Sequence, residues 1–153
     1  RQHRADSHCR FLHGYALAVT LTFEAEHLDA RNWVMDFGGL KEVRGWLTEM
    51  FDHKTLVAED DPERERFEEM TRAGLIQLKV VPATGCEAFA EMIYRHVAHW
   101  LETADPSGRV GLWSVTVSEH GANSASYEHW EGTRLNAENA RKASMLSGDS
   151  IHA

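Results

Sequence analysis

The stretch Cys9-Arg10-Phe11-Leu12-His13-Gly14-Tyr15 gathers a thiol, an imidazole and a phenol at the entrance to the apolar run Ala16 to Phe23. A thiol beside an imidazole and a cation ionises more readily and can act as a base near neutral pH. From Tyr15 to Phe23 the larger side chains fall on odd positions and the smaller on even ones, a period of two that predicts a strand. Carried back, that phase sets His13 on the face of Tyr15, so the pair could share one metal ion, with Gly14 leaving room between them. The residues alone leave a plainer alternative open: Cys9 as a small buried hydrophobe and His13 as a hydrogen-bonded loop residue.

Other chemistry lies far along the chain. Asp52-His53 closes an amphipathic helix, a carboxylate next to an imidazole. Glu119 continues the apolar face of a strand, where an unpaired carboxylate is expensive to bury, so it needs a protein donor or a ligand. His96 and His99 lie three apart on a helix and, without a third partner in view, read as structural. Glu59-Asp60-Asp61 before Pro62 reads as a solvated helix start favoured by the helix dipole.

The elements that must position these groups follow from the same patterns. Trp33-Val34-Met35 predicts a short returning strand. Asp36 is a plausible cap for a helix running from Leu40 to about Phe51. Pro62 opens a second helix reaching Gly74, and Leu75 to Val81 predicts a short strand. Cys86 to Leu101 is the clearest helix, with Phe89, Met92, Ile93, Val97, Trp100 and Leu101 on one face. Asp105-Pro106-Ser107-Gly108 is a turn. A strand from Arg109 to Glu119 then sets Gly111, Trp113, Val115, Val117 and Glu119 on one face, and Ala125 to Tyr127 begins a last strand. This order predicts an α+β domain, an antiparallel sheet with helices packed on one face. A single domain over residues 1–130 is expected, with a polar tail over 131–153 holding a short exposed helix from Asn136 to Met145.

Composition narrows the function. Among 153 residues, 42% are hydrophobic and 26% charged, which is globular. A formal charge of −8 and the absence of a basic patch argue against nucleic acid. No apolar run approaches the ~20 residues of a membrane span, so a cytoplasmic protein with reduced Cys9 and Cys86 is expected. The chain opens at Arg1 without an initiator Met, and a ligand carried by a preceding segment is expected to lie outside it.

Taken in order, these landmarks resemble the family of 6-pyruvoyl-tetrahydropterin synthase and the 6-carboxytetrahydropterin synthase of queuosine biosynthesis. The matching pieces are Cys9 with His13-Gly14, Val34-Met35-Asp36-Phe37 with Leu40-Lys41, Phe51-Asp52-His53 with Leu56, Glu87 with Ala90, and Val115 to Glu119 with Tyr127. The three residues between Cys9 and His13 resemble the bacterial carboxy-type enzymes more than the pyruvoyl type. The resemblance implies the tunnelling fold, in which subunits close barrels and sites lie between chains, and so a homo-oligomer, trimer or hexamer. It implies a lyase, carbon–carbon or carbon–oxygen, acting on dihydroneopterin triphosphate with zinc.

Carried over by position, Cys9 matches the catalytic base, Asp52 and His53 the proton-moving dyad, Glu119 the carboxylate that grips the pterin's pyrimidine edge, Glu87 a further substrate-binding residue, and His13 a zinc ligand. Two departures accompany the match. Tyr15 stands where the family has the second zinc histidine, to bind metal as phenolate or through a metal-bound water unless His3 or His8 compensates; the first zinc histidine is expected just before Arg1-Gln2. Gly85-Cys86-Glu87-Ala88 keeps only the Glu of a Thr-X-Glu-Asn helix start. An aldolase cleaving the neopterin side chain, or a pterin- or purine-binding homologue without turnover, are the alternatives.

Overall fold

The structure is a computed structural model and describes residues 1–119, 121 and 123–128. The tail and the Asn136–Met145 helix expected in it lie outside the described residues. Three strands, β1 (Leu17–Ala25), β4 (Val110–Glu119) and β5 (Asn123–Glu128), form an antiparallel sheet in the order β1-β4-β5. Between β1 and β4 run α1 (Lys41–Phe51), β2 (Thr55–Ala58), α2 (Arg64–Arg72), β3 (Leu78–Val81) and α3 (Cys86–Ala104). The α+β expectation holds, with the addition of a second, two-stranded parallel sheet formed by β2 and β3. No described helix is long and apolar enough to cross a membrane.

The core sits where α3 lies on the sheet. Ala90, Ile93 and Val97 recur at three- and four-residue intervals and are fully buried, as are Val115 and Val117 of β4 beneath them. Helix α1 packs against α3: Trp46 stacks on His96 with ring centroids 3.7 Å apart, and Phe51 meets Phe89 edge-on at 5.4 Å. Burial, then the neighbouring His99, hold His96 below its ordinary imidazole value. The other face of the sheet carries small hydroxyl side chains, with Thr20 and Thr22 exposed and Thr116 Oγ1 2.7 Å from Ser126 Oγ.

Several elements differ from the expectation. Trp33-Val34-Met35 forms no strand; it is loop, held because the Arg109 guanidinium donates to the carbonyls of Val34 at 2.6 Å and His27 at 2.8 Å. Thr55–Ala58, unassigned in the sequence, is a strand because Leu78–Val81 pairs with it. Pro62 lies in a turn, and α2 starts at Arg64. Asp36 does cap, accepting from Gly38 N–H at 2.8 Å, but the turn it caps is the 3-10 segment Phe37–Leu40 before α1. In β4 a bulge breaks the predicted face. Thr22 pairs with Ser114 and Phe23 with Leu112, so Trp113 is the extra residue. The buried side accordingly switches from Val110 and Leu112 to Val115 and Val117, and Gly111 and Trp113 leave the face of Glu119.

The acidic cluster is also not simply solvated. Asp61 is buried and accepts both Arg1 Nε and an Arg1 Nη at 2.7 Å, as well as the Glu63 N–H at 2.9 Å. Desolvation works to raise the Asp61 carboxyl, yet the Arg1 guanidinium outweighs it and holds it below the ordinary carboxylate value. His3 lies over the same pair, 3.5 Å from Asp60 and 3.8 Å from Asp61. With Thr84 Oγ1 donating to the Arg1 carbonyl at 2.6 Å, the first residues are pinned beside the start of α3.

Candidate active site

A cavity of about 760 Å³ opens where four segments meet: the approach to β1, the end of α1, the start of α3 and the end of β4. His13, Tyr15, Asp52, His53, Cys86 and Glu119 are among the side chains lining it.

Each is placed by its element. Leu17 lies opposite Glu119 in the β1–β4 register, so the chain just before β1 passes alongside the end of β4. There the His13 and Tyr15 rings meet edge to face, centroids 4.7 Å apart, as residues two apart on one face should. The Glu119 carboxylate lies near the Tyr15 phenol in the cavity lining. Partial desolvation and then that carboxylate push the Tyr15 phenol up to about 12. Asn123 Nδ2 donates to Glu119 Oε1 at 3.2 Å from β5, so one partner of Glu119 is a protein donor. Helix α1 ends when the Asp52 N–H bonds the Thr48 carbonyl at 2.9 Å, after which His53 turns left-handed, φ 55°, and the chain enters β2. His53 Nδ1 lies 2.8 Å from Asp52 Oδ1. With Nδ1–H donated to the carboxylate, Nε2 is the nitrogen left to exchange a proton.

Two expected residues are not among the cavity lining. Cys9 is half-buried on the 3-10 turn His8–Arg10 beside it; its carbonyl accepts from the N–H of Gln2, a lining residue, at 2.9 Å. Glu87 is in the first turn of α3, its carboxylate close to Gly85. Sequence reasoning passed over Cys86, which lines the cavity with Glu119, and over Gln2 and Thr84. The signal for Cys86 was its position at the first residue of the clearest helix.

The donor set does not fit zinc on its own. Among the described residues no three His, Cys, Asp or Glu side chains are grouped to hold a metal ion. His13 supplies one imidazole, the Tyr15 phenol is pushed up to about 12 and so away from phenolate, His3 is engaged with Asp60 and Asp61, and His8 is exposed on its turn.

Comparison with known proteins agrees with this architecture. The family described as 6-pyruvoyl tetrahydropterin synthase matches residues 1–130. The chain is similar to the 6-carboxy-5,6,7,8-tetrahydropterin synthase of Rickettsia bellii, 33% identical over 85 residues, covering 52% of this chain and 62% of that protein. Its counterpart in Rickettsia felis is 37% identical over 65 residues, covering 40% and 47%. That of Aquifex aeolicus is 27% identical over 123 residues, covering 78% and 75%. The matched stretch thus spans about half to three quarters of these curated relatives. An uncharacterised protein from Wolinella succinogenes has the same fold, with a TM-score of 0.69 at 22% identity over 80% of this chain and 81% of that one. The antiparallel sheet with helices on one face is the tunnelling fold, and the chain belongs to the 6-pyruvoyl tetrahydropterin synthase family.

Proposed function

We propose that the cavity binds a pterin and that the chain is a lyase of the 6-carboxytetrahydropterin synthase kind acting on dihydroneopterin triphosphate. The observation that carries this reading is that Glu119, the Asp52–His53 pair and His13, far apart in the chain, line one cavity of about 760 Å³.

In this reading Glu119 accepts two N–H bonds from the pyrimidine edge of the pterin, a strong and directional anchor for a carboxylate. The substrate side chain then reaches toward Asp52–His53. Asp52 orients the imidazole, and His53 Nε2 moves a proton at the side-chain oxygens. The Cys9 thiolate removes the proton from carbon. Zinc enters this reading only with ligands from outside the described residues, and these proton transfers are assigned to protein groups alone.

The strands β1 and β5 flank the sheet with open edges among the described residues. We read them as closed by neighbouring copies in a trimer or hexamer. Light scattering checks this, and a monomer would count against it.

Incubation of the purified protein with dihydroneopterin triphosphate, with mass analysis of the product, tests the activity. Consumption no faster than in a Cys9→Ala control sinks it. One observation favours a second reading, a pterin-binding protein without turnover: the Cys9 side chain is not among those lining the cavity. That reading requires binding lost in Glu119→Ala and indifferent to Cys9→Ala.

A further inference from the structure

Arg1 and Lys54 both line the cavity, and the fold treats the two cations differently. The Arg1 guanidinium is spent on the buried Asp61 carboxylate at 2.7 Å. Lys54 is half-buried, and its Nζ donates to the side-chain carbonyl of Gln77, a neutral partner. Among the described residues Lys54 forms no ion pair, whereas Lys79 of β3 is paired with Glu49 at 3.0 Å. In a chain of formal charge −8, an uncompensated cation in the lining of a cavity stands out.

Strand pairing produces this arrangement. Thr55 lies opposite Leu78 in the parallel register, and the Thr55 N–H donates to the Gln77 carbonyl at 2.8 Å, so Lys54 and Gln77 come side by side where β2 and β3 begin. A primary amide accepts from the ammonium without cancelling its charge. Partial desolvation of that charge costs free energy, which an anionic ligand recovers.

Position decides which part of a ligand Lys54 meets. It follows directly on Asp52-His53 at the end of α1, while Glu119 lies at the end of β4. A ligand whose ring is anchored at Glu119 and whose side chain reaches the dyad carries its terminal group on toward Lys54. The carboxylates of Glu119 and Asp52 repel a polyanion from the rest of that path.

We infer that Lys54 is the specificity-determining residue for a polyphosphate on the ligand: its ammonium, oriented by Gln77, meets the phosphate end while Glu119 meets the ring. The inference deepens the pterin reading and rests on it for the ring alone.

The test compares neopterin triphosphate with neopterin, which lacks the phosphates, on the full chain and on Lys54→Gln and Gln77→Glu, with melting shifts in inorganic tripolyphosphate as a ring-free probe. Lys54→Gln is expected to weaken neopterin triphosphate about tenfold, the scale of one charge-assisted hydrogen bond, and neopterin less than about twofold. Gln77→Glu leaves the lysine in place but neutralises it, and should weaken the triphosphate about threefold or more. Added salt should weaken the triphosphate less in Lys54→Gln than in the unsubstituted protein. Equal losses for both ligands, or an unaltered triphosphate affinity in Lys54→Gln, overturn the inference. If neopterin fails to bind while tripolyphosphate raises the melting temperature only when Lys54 is present, the pterin reading falls and the role of Lys54 stands. If neopterin binds and tripolyphosphate protects the unsubstituted protein and Lys54→Gln equally, the pterin reading stands and the role of Lys54 falls.

Discussion

His53 holds its Nδ1 2.8 Å from the Asp52 carboxylate while its own backbone is left-handed, at φ 55°. A residue other than glycine at positive φ is uncommon, and here the turn places adjacent side chains against one another at the mouth of the cavity. When Nδ1–H is donated to Asp52, Nε2 is the nitrogen left to exchange a proton. His53→Ala is expected to lower turnover of dihydroneopterin triphosphate by roughly 10²–10⁴, the usual contribution of a positioned acid–base group. Asp52→Asn should lower turnover with little change in KM, since it disturbs the tautomer and not the pterin anchor. Steady-state kinetics checks both, and unaltered turnover in His53→Ala removes the dyad from the mechanism.

The two thiols differ in a way that alkylation reads directly. Burial first, and then the charges of Glu119 and Glu87, push the Cys86 thiol up, although the N–H of Glu119 pulls the other way. Cys86 is buried on α3, whereas Cys9 is half-buried on a short turn. Iodoacetamide at neutral pH is expected to modify Cys9 roughly tenfold faster than Cys86. Peptide mass mapping over time measures the two rates, and a faster Cys86 would move the base role away from Cys9.

Arg1 and Asp61 form an acid-sensitive fastening for the segment that carries Gln2 and Cys9. The Asp61 side chain is fully buried and Arg1 keeps 20% of its side chain exposed. Arg1→Ala leaves a buried carboxylate short of its main partner and is expected to cost roughly 2–3 kcal/mol, below the ~3–5 of a fully buried pair. The Asp61 carboxyl is lowered in the folded chain, so its contribution is complete above the unfolded value of about 3.9 and is lost as pH falls through the lower folded value. Melting temperature against pH should therefore drop in acid for the unsubstituted protein and more shallowly for Asp61→Asn. Parallel acid limbs would show that the pair contributes little.

Much of the fold was legible because large side chains recur at fixed intervals. Ile93 and Val97 on α3, and Leu17, Val19 and Leu21 on β1, carry that signal over enough residues to read. Thr55–Ala58 escaped because four residues are too few to show a period, and its pairing with Leu78–Val81 is a tertiary event. Trp113 misled because a bulge inserts one residue and reverses the phase of everything before it. Asp61 misled because its partner, Arg1, is 60 residues away. At the site, Glu119 was legible as a carboxylate on an apolar face, while its nearness to Tyr15 depends on the β1–β4 register, which no local pattern reveals.

Gly85 sets how α3 begins. Gly85 caps the helix at φ 124° and ψ 161°, a region open essentially to glycine alone. A Cβ built there lies 2.9 Å from Gln2 Nε2 and 3.3 Å from a Glu87 carboxylate oxygen. The Gln2 side chain can move aside, so the larger cost is the backbone, about 1–3 kcal/mol for a side chain forced into that conformation. The backbone N–H of the same Gln2 holds the Cys9 carbonyl, so a shift carried into the Gln2 main chain would reach Cys9. Gly85→Ala is thus expected to lower stability by about 1–3 kcal/mol and to reduce turnover beyond what the loss of folded protein explains. Denaturant melts with activity normalised to folded protein separate the two effects. Normal specific activity in the folded fraction would mean that Cys9 is positioned without Gln2.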